Sequence, residues 1–179
     1  PSAKGKVMFF WNNRNARRKQ SGSLIFWFKE FIDKVGHDKA MLLMHTDPKD
    51  PNGQDLNVII QKLNLLEGQV MFSTQKMSMQ DLSMLYNMAD CTINISDAEG
   101  FGLGTLESLS CGTPIGSQQV PYIYEDRINK EDFINALTKI YEMSEAERGE
   151  LGELGIKHVR ENYNFIDFCS KWVETIDDI

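Results

Sequence analysis

The chain has 179 residues, about the size of one typical domain and long enough to bury a core without disulfides or metals. Hydrophobic residues make up 41% and charged residues 25%, a balance that argues against disorder over most of the length. The net charge of −7 argues against a free-standing nucleic-acid binder, although a small anionic ligand needs only a local cluster of donors.

The first predicted element is a buried strand over Lys6 to Trp11. A helix is predicted over Ser23 to Val35, with Leu24, Phe28, Phe31, Ile32 and Val35 on one face and Gly36 as its stop. Ala40 to His45 reads as a second strand, and Asp47 to Gly53 as a loop of turn formers. A helix is expected over Asp55 to Leu65 and a third strand over Gln69 to Ser73. Ser78 and Asp81 have the spacing of a capping box for a helix running to about Met88. Cys91 to Ile95 is a fourth strand, Gly102 to Ser110 a helix stopped by Gly112, and Thr113 to Gly116 the start of a fifth strand. Helices are then predicted over Lys130 to Met143, Glu145 to Asn162 and Phe165 to Asp178. This alternation predicts an α/β fold, a Rossmann-like parallel sheet flanked by helices, as a single domain over 1–179. Ligands of such sheets bind beyond the carboxyl ends of the strands.

No apolar run approaches the roughly 20 residues of a membrane span. The first six residues have no long apolar stretch behind them, as a signal peptide would, and no initiator Met. The chain is therefore expected to be a piece of a longer one. Cys91, Cys111 and Cys169 match no zinc or redox spacing. Cys91 and Cys111 are expected as core thiols, in a reducing, cytoplasmic setting. His37 and His158 have no carboxylate or cysteine at ligand spacing, so no metal is expected.

The segment Glu99-Gly-Phe-Gly-Leu-Gly-Thr-Leu-Glu107 is a glycine-rich strand-to-helix turn between two carboxylates. Its glycines let backbone N–H groups approach a ligand, and the helix start behind them suits phosphate. Glu107, one turn into the helix, is placed to accept two hydrogen bonds from a vicinal diol such as a ribose. A dinucleotide-binding turn would need glycine where Thr105 stands and would follow the first strand. A tight turn with solvated glutamates is the bland alternative.

Glu99-Gly-Phe-Gly-Leu, followed by Leu106-Glu107-Ser-Leu-Ser-Cys-Gly-Thr-Pro114, resembles the Glu-x7-Glu signature of GT-B retaining glycosyltransferases of the family 4, group 1 type. That family includes sucrose synthases and many mannosyl- and glucosyltransferases. The strand–helix order is similar to the family's C-terminal, donor-binding domain over nearly the whole chain. The resemblance implies that Glu107 binds the donor ribose and Glu99 the donor sugar. Backbone around Gly100, Phe101, Gly102, Leu103 and Thr105 would hold the diphosphate. The donor would be a UDP-, GDP- or ADP-sugar, with no further cofactor and no metal.

Asn13-Arg-Asn-Ala-Arg-Arg-Lys19 concentrates four cations in an acidic chain, in a loop at the ligand end of the sheet. A charge run is usually a solvated face. Here the segment is similar to the family's Arg-x4-Lys phosphate clamp, which assigns Arg14 and Lys19 to the diphosphate with Arg18 as support. Arg17 is left as a surface charge. Lys76 and Met77 lie in the loop that the family places near the donor base. His45 is either a ligand-face residue or a satisfied loop residue, the second being favoured. Met77, Met79, Met84 and Met88 are expected as helix and core contacts, and Trp11, Trp27 and Trp172 as packing residues.

Two departures stand out. The segment after Pro114 is shorter than the family's and lacks its paired glycines, so a loop missing near Ile115–Gly116 is expected in preference to a real deletion. The N-terminal acceptor-binding domain is absent, so the fragment is expected to bind donor but to transfer sugar poorly alone. A GT-B type sugar-nucleotide epimerase and a non-catalytic nucleotide-sugar-binding module remain as alternatives.

Overall fold

The apolar runs form one parallel sheet in a computed structural model that describes residues 5–97, 102–117, 128–167, 169, 170 and 173. Its strands are β1 (Val7–Asn12), β2 (Ala40–His45), β3 (Val70–Ser73), β4 (Cys91–Asn94) and β5 (Ile115–Ser117). They lie in the order β3-β2-β1-β4-β5, with every pairing parallel. Phe9, Phe10 and Trp11 are all 0% exposed, because helices cover both faces and leave no solvent side for polar residues.

On one face α1 (Ser21–Val35) and α5 (Lys130–Glu142) pack on Phe9 and Trp11. Phe28 and Phe31 meet the Phe9 ring edge-on, and Trp27 packs against Phe133. On the other face α3 (Met79–Met88) sets Tyr86 against Met8, Phe10 and Met41. The remaining helices are α2 (Leu56–Lys62), α4 (Leu103–Ser110) and α6 (Glu145–Asn162).

Most predicted elements fall in place, and the displaced ends have local causes. The first helix starts two residues early, behind a 3-10 turn at Arg17–Lys19 and a left-handed Gln20 with φ 57°. Asp55 is the N-cap of α2 rather than its first residue, accepting from the N–H groups of Asn57 and Val58. Gly102, in the left-handed region at φ 76°, is the N-cap of α4 rather than part of it. The capping box of Ser78 and Asp81 is present, and a second one joins Ser144 to Glu147. Residues 165–167, 169, 170 and 173 are helical; the rest of the predicted last helix, with Trp172, lies outside the described residues.

The helix α6 is pressed onto the end of α4. A Cβ placed on Gly152 would lie 1.9 Å from the Gly112 carbonyl oxygen, and one on Gly155 would lie 2.9 Å from Leu109 Cδ2. Arg148 on α6 pairs with Asp90 at 3.0 Å and donates to the Met143 carbonyl at 2.6 Å, while Asp90 accepts from the Met8 N–H at 2.8 Å. Strand β5 runs through Ile115 and Gly116 in unbroken register with β4. Residues 118–127 lie outside the described ones.

Strand order reverses at β1: the chain winds outward through β2 and β3, then crosses back to β4 on the opposite side. The two sides of β1 differ. Every residue from Val7 to Asn12 is in register with Ala40 to His45, but β4 matches β1 only at Phe9↔Cys91 and Phe10↔Thr92. Among the described residues, no helix is long and apolar enough to cross a membrane.

Candidate functional site

Beyond the Phe10↔Thr92 pair a cavity of about 240 Å³ opens between β1 and β4. Asn12 and Asn13 line it from the end of β1, Thr92 and Asn94 from β4, and Gly102, Leu103 and Gly104 from the start of α4. A cavity at the strand-order reversal is where open parallel sheets bind ligands. A Cβ on Gly104 would lie 3.7 Å from both the Asn12 carbonyl oxygen and the Tyr86 hydroxyl, so a larger residue there would narrow the opening. Gly102 supplies no side-chain cap to the helix it begins. The first turn of α4 faces the cavity and holds no acidic residue, so among the described residues no side chain offsets its N-terminal dipole, an arrangement suited to an anion.

Hydroxyl contacts fix α4 to the sheet beneath it. Thr92 and Ser108 share a buried hydrogen bond, and the Ser108 hydroxyl donates to the Thr113 carbonyl at 2.9 Å. One turn into α4, Glu107 Oε2 accepts from the Tyr86 hydroxyl at 2.8 Å, and that hydroxyl accepts from Asn12 Nδ2 at 3.0 Å. Burial, together with the adjacent Glu107, pushes the Tyr86 phenol well above its ordinary value, so it keeps its proton. Glu107 also borders a second, apolar hollow of about 310 Å³ between α3 and α4, shared with Met79, Leu82 and Leu106.

The basic cluster is arranged differently. Arg14 Nε donates to Asp50 Oδ2 at 2.6 Å, and Nη2 to Oδ1 at 3.2 Å. The hydrogen bond from Arg14, aided by the Asn52 N–H, holds the Asp50 carboxyl far below the usual carboxylate range. Lys19 is 5% exposed at the end of the 3-10 turn. Arg18 is exposed, and its carbonyl accepts from the Asp97 N–H at 2.8 Å. Gln20 Nε2 donates to Asp97 Oδ2 at 2.7 Å, so the basic turn is tied to the chain leaving β4. None of Arg14, Arg18 and Lys19 lines the cavity. Asn15, 0% exposed, anchors the loop by donating to the Gln54 carbonyl at 2.8 Å and accepting from Ser21 Oγ at 2.6 Å.

Of the residues predicted from sequence, Gly102 and Leu103 line the cavity, Thr105 is buried behind them, and Glu107 stands beside them. Glu99, Gly100 and Phe101 lie outside the described residues. Lys76 is exposed and Met77 half-buried in the loop before α3, and neither lines the cavity. His45, the last residue of β2 rather than a loop residue, has its Nδ1 within 3.0 Å of Ser73 Oγ, and partial burial lowers its pKa. Cys91 is a core thiol, pushed up to about 12 by burial, whereas Cys111 is only half-buried. The methionines correct the expectation of core contacts: Met79, Met84 and Met88 are 87%, 55% and 62% exposed, because α3 turns Tyr86 inward instead. Sequence reasoning missed Tyr86 and Asn12. The available signal was an aromatic with a polar tip on the buried side of a helix, which needs a hydrogen-bond partner. No group of three or more His, Cys, Asp or Glu among the described residues is placed to hold a metal.

Residues 49–131, somewhat under half the chain, match the family model "Glycosyl transferases group 1". The match includes the glycine turn and Glu107 but begins after the basic cluster. Comparison with curated proteins finds no match. Among solved structures, a sucrose-phosphate synthase from Thermosynechococcus elongatus aligns with TM-score 0.78 at 22% identity, over 97% of this chain and 45% of that one. A mutant of TarM from S. aureus, in complex with fondaparinux, alpha-GlcNAc-glycerol and UDP, aligns with TM-score 0.76 at 16% identity, over 95% of this chain and 35% of that one. The C-terminal domain of a glycosyl transferase group 1 family protein (LpcC) from Francisella tularensis aligns with TM-score 0.68 at 16% identity, over 90% of this chain and 88% of that one. The chain thus spans less than half the length of the synthase and of TarM, and its fold is that of GT-B glycosyltransferase domains.

Proposed function

We propose that this chain, which has the fold of a GT-B glycosyltransferase domain, is the donor half of a retaining glycosyltransferase and binds a nucleoside-diphosphate sugar at the β1/β4 cavity. The observation that carries the reading is the start of α4, which lines that cavity, with Glu107 one turn behind it and hydrogen-bonded to Tyr86 of the cavity wall. A helix start attracts the diphosphate, and a carboxylate one turn away accepts from the ribose hydroxyls.

In this reading 1–179 is one donor-binding domain in the C-terminal position of a GT-B enzyme, and a UDP-, GDP- or ADP-sugar is its substrate. Glu99 meets the sugar, and Gly100 to Leu103 with Thr105 surround the diphosphate. Arg14 and Lys19, with Arg18 behind them, stabilise the charge that develops on the departing diphosphate. Lys76 and Met77 lie toward the base. An N-terminal domain of the same protein brings the acceptor, so the isolated domain transfers little sugar. The reaction needs no metal or further cofactor, and its setting is the cytoplasm.

Titration calorimetry with UDP, GDP and ADP tests the proposal. One of the three should bind, and Glu107→Ala should weaken that binding by about 1–3 kcal/mol, the range for a charge-assisted hydrogen bond. Absence of binding by all three would overturn the donor-site reading, and an unchanged affinity in the variant would remove Glu107 from the ribose.

A further inference from the structure

We infer that Tyr86 is a positioning residue for Glu107: its hydroxyl holds one carboxylate oxygen in place and leaves the other to accept from the ribose diol. The inference rests on the donor-site reading and deepens it.

The proton directions along the chain of contacts are fixed by chemistry. An ionised carboxylate only accepts, so the single phenolic proton of Tyr86 goes to Glu107 across 2.8 Å. The hydroxyl oxygen is then left as an acceptor, and Asn12 presents its Nδ2 donor to it at 3.0 Å. Both polar ends of the Tyr86 side-chain group are satisfied, and neither is free to turn away.

The ring behind that hydroxyl is equally constrained. Tyr86 is 2% exposed, and its ring meets Phe10 edge-on at 5.1 Å and 83°. Its backbone carbonyl accepts from Thr113 Oγ1 at 2.6 Å, which pins this turn of α3 to the segment entering β5. Glu107, by contrast, borders the open hollow between α3 and α4, and a glutamate side chain alone samples many rotamers. Among the described residues Tyr86 is the one side chain that hydrogen-bonds its carboxylate. A carboxylate already fixed when the ligand arrives loses no further rotamer freedom on binding.

A plain structural tie between α3 and α4 would affect all ligands alike. A positioning role affects only ligands that carry the hydroxyls Glu107 receives. The test therefore compares UDP, GDP and ADP with their 2′-deoxy counterparts, in the whole protein and in Tyr86→Phe. The wild type should favour the ribonucleotide about tenfold, the worth of one charge-assisted hydrogen bond. Tyr86→Phe should weaken ribonucleotide binding about three- to tenfold and leave the 2′-deoxy form within about twofold, so the preference collapses. If that variant does not fold, Asn12→Ala removes the donor that fixes the Tyr86 hydroxyl and should lower the same preference about threefold. A ribose preference that survives the variant overturns the positioning role while leaving the donor site standing. A wild type that binds none of the three diphosphates overturns the donor site, and the positioning role with it.

Discussion

On the β1 side of the cavity Arg14, Lys19 and Asn15 are engaged with the protein itself. Arg14 is paired with Asp50, Lys19 is 5% exposed in its turn, and Asn15 binds the loop that follows β2. On the β4 side, among the described residues, the Glu107 carboxylate accepts from one side chain, Tyr86, and the start of α4 has no side-chain cap. The difference teaches that a charged side chain near a cavity can belong to the scaffold or to the open side of the site. One side is a cross-linked scaffold in which Arg14 is held by Asp50. The other holds a carboxylate fixed by one hydroxyl beside a helix start.

Three changes would break or sharpen that contrast. The largest effect is expected from Gly152→Val. With so little space above the Gly112 carbonyl, the added side chain must displace α6 or α4, at about 3 kcal/mol or more. Urea denaturation should register that loss, and diphosphate binding should fall with it if α6 holds α4 in place. Intact binding in a destabilised protein would show that α4 is positioned from the sheet alone.

Next comes Asn15→Ala, which leaves the Gln54 carbonyl and the Ser21 hydroxyl without their partner in a buried loop. Stability should drop by about 2 kcal/mol. The preference for ribose over 2′-deoxyribose should stay constant, since the acceptor lies on the other side. A changed preference would mean that the two sides are mechanically coupled.

The smallest effect is expected from Asp50→Asn, which frees Arg14. Diphosphate binding should tighten about two- to fivefold, the most that an exposed pair can withhold, and the gain should shrink with added salt. Acidification is not an equivalent experiment. Asp50 titrates far below its ordinary value, so the pair is complete above about pH 4 and is lost only as pH falls further, through the folded-state value. Lowering pH from about 7 to 5 therefore leaves Arg14 held. Unchanged binding in Asp50→Asn would mark Arg14 as part of the scaffold.

Much of the fold was legible because buried parallel strands are written as short apolar runs. Val-Met-Phe-Phe-Trp and Ala-Met-Leu-Leu-Met became β1 and β2, within a residue of the expected ends. Helix starts were less legible where they depend on a left-handed residue, as at Gln20 and Gly102. At the site, Gly102, Leu103 and Glu107 could be found because glycine spacing and a carboxylate are local features. Tyr86 could not, since its partners Asn12 and Glu107 are 74 and 21 positions away and only folding brings them together. Nor does a cation reveal in sequence which carboxylate it will meet, and Asp50 is 36 positions from Arg14.

The unequal pairing of β1 bears on how the molecule can breathe. Toward β2 the strand is registered along its whole length, and toward β4 at two positions only. An opening that separates β1 from β4 beyond Phe10 breaks few backbone hydrogen bonds, while one that separates β1 from β2 breaks a full ladder. Local openings of low free energy are expected to concentrate where fewest such bonds must yield. The seam that opens the cavity is thus also a line along which amide protons should exchange early, and a molecule bridging it would slow that exchange on both strands at once.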